Sequence, residues 1–209
     1  MKKLFVISSV IAALAATSAN AKDGAYVGFD VLASNVKNKY QDRTDHTNSS
    51  NGSKIDHDAL GFGLNAGYKM GVGGNVFVAP EVFFDYLANS SKTALRGQYE
   101  GSNNDRFRVN NRYGAKLNLG YDFTKEFSAS VNVGLANTQY TYDVGSFGLS
   151  RGSSELGAVY GLGTAYNIND NWSLRFGLDR QKLNVRGVFE GERYKVTIHT
   201  ARLGLAYNF

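Results

Sequence analysis

The sequence predicts an all-β fold: an eight-stranded antiparallel transmembrane β-barrel with short turns at one end and longer loops at the other. Three observations predict it. Apolar side chains alternate with polar or small ones in eight separate segments, the period-two pattern of strands with two different faces. The glycines inside those segments share the face opposite the large apolar residues. The connections alternate between long polar stretches and tight turns.

Composition points the same way. The chain has 209 residues with 13 Tyr, 13 Phe, 24 Gly and one Pro, a mixture suited to strands and turns rather than helices. Cysteine is absent, which excludes a disulfide framework and a thiolate metal site. The formal charge is +5, or about +3 once Lys2 and Lys3 are set aside. No basic cluster with interleaved aromatics stands apart from the strand pattern, so nucleic acid is not an expected partner.

The chain opens on Met1-Lys2-Lys3, then an apolar run from Leu4 through Ala16, then the small-x-small triplet Ala19-Asn20-Ala21. That is the layout of a cleaved signal peptide over residues 1–21. The run is too short for a spanning helix, which needs about 20 apolar residues. Residues 22–209 are then one barrel domain.

Each strand is justified by its alternation. The first is expected over Gly24–Ser34, with Ala25, Val27, Phe29, Val31 and Ala33 toward lipid and Tyr26, Gly28, Asp30 and Ser34 inward. The second is expected over Ala59–Lys69 (Leu60, Phe62, Leu64, Ala66 and Tyr68 outward), and the third over Val76–Ala88, with Glu81 and Asp85 inward. The fourth, Phe107–Phe123, sets Val109, Tyr113, Ala115, Leu117 and Leu119 against Arg108, Arg112, Lys116 and Asn118. The fifth is expected over Phe127–Thr141 and the sixth over Glu155–Ile168. The seventh starts at Trp172, with Arg175 and Asp179 inward, and the eighth closes the chain with Arg202 and Gly204 inward. Gly61, Gly63, Gly67, Gly114, Gly120, Gly134, Gly157, Gly161, Gly163 and Gly177 fall on the same inward face. A narrow barrel needs small residues inside to admit large ones.

Segments 35–57, 89–106 and 143–154 read as extracellular loops, and 70–75, 124–126 and 169–171 as periplasmic turns. Near the last connection the pattern changes. Beyond Leu178 the outward face becomes Arg180, Lys182, Asn184 and Arg186, while Leu183 and Val185 turn inward. The eighth strand mirrors this, with Lys195, Thr197 and His199 outward and Val196 and Ile198 inward. The reading adopted is a hairpin that leaves the lipid; a local bulge that flips the register is the alternative.

The inward charges Asp30, Glu81, Asp85 and Asp179 face Arg108, Arg112, Lys116, Arg175 and Arg202. An eight-stranded interior is wide enough for side chains alone, and buried charges persist only when paired. A closed ionic plug is therefore expected, with a narrow gated channel as the alternative. Arg180, Lys182, Arg186 and Lys195 lie where lipopolysaccharide phosphates would sit, which makes them candidate lipid contacts.

The chain ends Arg202-Leu203-Gly204-Leu205-Ala206-Tyr207-Asn208-Phe209. Gly204, Tyr207 and the terminal Phe209 resemble the C-terminal assembly signal of bacterial outer-membrane proteins. With the leader and the alternating strands, residues 22–209 resemble the small eight-stranded outer-membrane family that includes the OmpA membrane domain, OmpX and opacity-type adhesins. The resemblance implies a monomeric barrel in the outer membrane of a Gram-negative bacterium, inserted by the outer-membrane assembly machinery. It implies a structural or adhesive surface protein whose loops contact a host cell. The peptidoglycan-binding domain that follows the barrel in full OmpA proteins is not expected after the eighth strand, so peptidoglycan anchoring is not an expected role.

No enzymatic activity and no cofactor are expected. His46 and His57 stand beside Asp45, Asp56 and Asp58 in the first loop, where such adjacency arises easily in a polar segment. His199 lacks the His-x-Ser pairing of a lipid A deacylase. A lipid-modifying enzyme is the least favoured alternative.

Overall fold

The computed structural model describes residues 23–41, 55–88, 106–144, 149–186 and 193–209. Eight strands run in order: β1 (Gly24–Gln41), β2 (Ile55–Gly73), β3 (Val76–Ala88), β4 (Arg106–Asp122), β5 (Phe127–Val144), β6 (Leu149–Asn167), β7 (Trp172–Arg186) and β8 (Arg193–Asn208). Each is antiparallel to its sequence neighbours, and β1 pairs with β8 to close the barrel.

The outer surface shows which solvent it was built for. Phe29, Leu64, Leu119, Val133, Leu162 and Leu205 are all exposed, and Val133 reaches 62 %. A continuous apolar belt of this kind on a folded chain marks a surface that meets lipid. Aromatic pairs sit toward the end that carries Phe209: Trp172 on Tyr207 at 5.3 Å, Tyr207 on Phe209 at 5.1 Å and Tyr121 on Phe123 at 5.1 Å. Amphipathic rings belong at such a membrane interface.

The strands are longer than the alternation alone predicts. β1 continues through Asn35–Gln41, and β2 already begins at Ile55, so much of the expected 35–57 loop is wall. β5 and β6 likewise pair as far as Val144 and Leu149, inside the expected 143–154 loop. With 13 to 19 residues each, the strands exceed the roughly 10 that a membrane crossing needs. The added length carries polar outward residues, so hydropathy reads it as loop while backbone pairing keeps it in the sheet.

Three turns lie at the end that holds Gly24 and Phe209. Gly73 and Gly74 take φ values of 120° and 60°, which only glycine adopts without strain. Thr124 Oγ1 accepts hydrogen bonds from the Glu126 and Phe127 amides at 3.1 and 3.0 Å. Asn169 Oδ1 does the same for Asn171 and Trp172 at 3.0 and 2.8 Å. Side-chain acceptors thus cap the two tight turns from within.

Two registers shift. One lies between Gly71 and Gly73 of β2, the other between Val109 and Asn111 of β4. Pro80 leaves a different mark. β3 keeps its ladder with β4 there, but Ala79 and Pro80 have no register partner on β2. Proline has no amide hydrogen to give, so the ladder skips that step on one side. Asn118 Nδ2 donates to the Ala79 carbonyl at 2.9 Å.

Candidate functional site: the lumen and the outer rim

Glycine placement builds the lumen. Large inward side chains face glycine on a neighbouring strand: Asp30 opposes Gly63 and Gly204, Glu81 opposes Gly67, and Asp85 opposes Gly63. Phe83 opposes Gly114, Lys116 opposes Gly134, Asp179 opposes Gly161 and Arg202 opposes Gly177. At Gly114, Gly134 and Gly161 a Cβ would strike the facing strand's backbone. The volume those glycines release is where the charged chains lie.

Those charges form one connected layer. Asp85 and Arg112 face each other across β3 and β4, 2.6 Å apart and both fully buried. Glu81 and Lys116 are opposed in the same way, at 3.2 Å. Lys116 also reaches Asp179 at 3.4 Å. Arg202, from β8, crosses the lumen to three carboxylates: Asp179 at 2.8 Å, Asp30 at 3.0 Å and Asp85 at 3.2 Å. Arg175 meets Glu81 at 2.6 Å, and Tyr26 donates to the same carboxylate at 2.8 Å. Amides finish the network: Asn65 Nδ2 donates to Asp30 and Asn132 Nδ2 to Asp179, at 3.0 and 3.2 Å.

Arg108 departs from the expected set. The shift at Val109/Asn111 turns the start of β4, so that Val109 is 2 % exposed inside while Arg108 is exposed outside. Alternation counted back from Arg112 assumes an unbroken strand, and one extra residue reverses it. Without Arg108 the lumen layer holds four carboxylates (Asp30, Glu81, Asp85, Asp179) and four cations (Arg112, Lys116, Arg175, Arg202) among the described residues. A fixed interior charge survives burial best when it is matched in this way.

Phe83 is a central member that charge reading passes over. The Lys116 ammonium, the Arg202 guanidinium and the Arg112 guanidinium lie 5.0, 5.7 and 6.0 Å from its ring centroid. The ring supplies a face attractive to cations in a space without bulk water. Parity alone could have found it, since Phe83 stands between inward Glu81 and Asp85.

Apolar side chains bound this layer at both ends. Tyr26, Phe77, Ala79 and Ala206 cluster toward the turns. Leu32, Val36, Leu87, Val109, Leu183, Val196 and Ile198 cluster toward the opposite end. Leu183 and Val196 are adjacent in a β7–β8 register that runs without a shift from Trp172 to Arg186. The hairpin therefore continues the barrel wall, with apolar residues inside and polar ones outside, and no bulge flips it.

On the outside, Asn35, His199 and Arg180 form one rung across β1, β8 and β7, and Lys37, Thr197 and Lys182 form the next. Arg180, Lys182 and Lys195 are exposed, and Lys182 Nζ lies 5.9 Å from the Tyr160 ring centroid. The rung below is apolar: Ala33, Ala201 and Leu178. The side chains of Arg186 and His57, and all of Asp45 and His46, lie outside the described residues. At the chain terminus Gly204 opposes Asp30, Tyr207 meets Trp172 edge to face and Phe209 donates its amide to the Ala25 carbonyl.

Similar proteins share this architecture. A relative of known name, the 31 kDa outer-membrane immunogenic protein of Brucella melitensis, is 26 % identical across 98 % of this chain and 99 % of its own. Among solved structures, Ail, the attachment invasion locus protein of Yersinia pestis, matches with a TM-score of 0.53 at 16 % identity, covering 88 % of this chain and 98 % of Ail. Ail in complex with the heparin analogue sucrose octasulfate matches at 0.51 and 16 %, covering 88 % and 99 %. The outer membrane protease OmpT of Escherichia coli matches at 0.51 and 11 %, covering 93 % and 100 %; at that identity the likeness is one of fold. The model of the outer membrane protein beta-barrel domain matches residues 4–209. The closed eight-stranded wall agrees with that match, and the chain belongs to this family of Gram-negative outer-membrane proteins.

Proposed function

We propose that the protein is a non-enzymatic surface protein, structural in the envelope or adhesive toward a host surface, and that its barrel is a closed support. The observation that carries this reading is the filled lumen: Arg112 and Asp85 are fully buried in a matched ionic layer bounded by apolar clusters. Such an interior leaves activity to the outward surfaces and to the end opposite the turns. The likeness to Ail, a named attachment protein that has been seen with a heparin analogue, supports the adhesive branch.

The test has two arms. In planar bilayers the protein is expected to show no steady conductance; regular single-channel steps would overturn the closed-support reading. Cells displaying the barrel are expected to bind host cells or immobilised heparin, and to lose that binding when segments 42–54 or 89–105 are deleted. No binding by the parent barrel would leave only the structural branch, and undiminished binding by both deletion variants would move the adhesive surface away from those segments. A change in lipid A mass on expression would instead indicate an enzyme.

Residues 1–21 fit an export leader, so the mature chain is expected to begin at Lys22 by mass spectrometry. Tyr207 and Phe209 are read as the assembly signal, and Phe209→Ala is expected to lower the amount inserted. The barrel is expected to run as a monomer.

A further inference from the structure

Among the described outward side chains of the wall, the cations are concentrated in one sector. Arg180 and Lys182 on β7, Lys195 on β8 and Lys37 on β1 occupy successive outward rungs of three adjacent strands. The outward residues of the other strands differ: they include Tyr86 on β3, Gln139 on β5, Tyr160 on β6 and the acidic Asp58 on β2, and Arg108 on β4 is a cation apart from the cluster. The polar residues between the cations, Thr197 and Asn184, can accept or donate hydrogen bonds.

Directly beneath the cations the wall becomes apolar, at Ala33, Ala201 and Leu178, with Leu162 beside Leu178 on β6. The strip thus joins a cationic upper half to a hydrocarbon-facing lower half with no polar gap between them. A soluble anion would use only the upper half. A neutral lipid would use only the lower half.

We propose that this β1–β8–β7 sector is a fixed binding face for the phosphorylated acyl glycolipid of the outer leaflet, lipopolysaccharide. Its phosphates lie on Arg180, Lys182 and Lys195, and its acyl chains lie on Leu178, Ala201 and Leu162. Charge-assisted contacts to phosphate and matched hydrocarbon below select an amphiphile that carries both groups. The inference rests on the reading of the chain as an outer-membrane surface protein. Its test is independent of the loop deletions, so the two can fail separately.

The chain has no cysteine, so a single introduced thiol can be labelled cleanly. An environment-sensitive fluorophore at Thr197→Cys reports on the sector, and one at Gln139→Cys reports on another wall. The full barrel is placed in phosphatidylcholine nanodiscs, and lipid A, dephosphorylated lipid A or phosphatidylglycerol is added. The Thr197→Cys probe is expected to respond to lipid A at far lower mole fraction than to the other two lipids, and the Gln139→Cys probe is expected to stay unchanged. Combining Arg180→Glu, Lys182→Glu and Lys195→Glu is expected to weaken the response by on the order of a hundredfold, the sum for three surface cations. Heat-modifiable gel migration checks that this variant is folded, and Lys182→Gln gives a milder version if it is not. Equal responses at both probes, an equal response to dephosphorylated lipid, or an undiminished response in the charge variants would each overturn the proposal.

Discussion

Arg202→Met isolates the centre of the lumen network. The native guanidinium lies within 2.8–3.2 Å of Asp179, Asp30 and Asp85. Once it is removed, Asp85 keeps Arg112 at 2.6 Å and Asp179 keeps Lys116 at 3.4 Å. Asp30 keeps only the neutral Asn65 amide, at 3.0 Å, among these contacts. One buried carboxylate therefore loses its cation, and four carboxylates then face three cations. Breaking a buried pair in this way costs about 3–5 kcal/mol, and methionine fills most of the vacated volume, so the cost reads mainly as charge. Asp30→Asn in the same chain restores three against three and is expected to return roughly 1–3 kcal/mol. Trp172 is the single tryptophan and lies at the interfacial end, so urea unfolding in lipid followed by its fluorescence measures both variants. A single variant within about 0.5 kcal/mol of the parent, or a double variant no more stable than the single, would refute the reasoning.

Three further outcomes are expected. Ile198→Asp buries a carboxylate in the upper apolar cluster, where Ile198 is 0 % exposed, and should destabilise by several kcal/mol, whereas Thr197→Asp next to it should cost little; equal costs in the same unfolding assay would mean that the β7–β8 parity is wrong. Leu64→Lys places a charge on the lipid face and should cost about 2–4 kcal/mol if Leu64 lies near the midplane, measured by the same titration. Gly161→Val drives a side chain into the Leu178 carbonyl and the Asp179 carboxylate and should lose about 1–3 kcal/mol by overpacking, while Leu162→Val on the outer face should lose less in heat-modifiable migration.

Much of this was legible in the alternation. Wherever alternation runs unbroken, including β4 beyond its bulge, the acids Asp30, Glu81, Asp85 and Asp179 and the cations Arg112, Lys116, Arg175 and Arg202 share the inward phase. The outward turn of Arg108 is not legible, because a bulge has no reliable signature in a short polar run such as Asn110-Asn111. The true length of β1 was hidden because Lys37 and Asn35 face outward where lipid has ended, and hydropathy cannot separate a solvated strand from a loop. Phe83 carries no charge, so the charge pattern does not reveal it, although its phase between Glu81 and Asp85 turns it inward. The pairing partners of Arg202 could not be read at all, since they lie across the lumen and depend on how far each strand is staggered around the wall.

The step that the ladder misses at Pro80 has a consequence for how the barrel yields. Between β2 and β3 the sheet gives up two successive register partners, while the β3–β4 ladder beside it stays intact. A tear opened by heat or by mechanical pulling should begin along that seam, and amide deuteration of β2 near Tyr68 should run ahead of the rest of the wall.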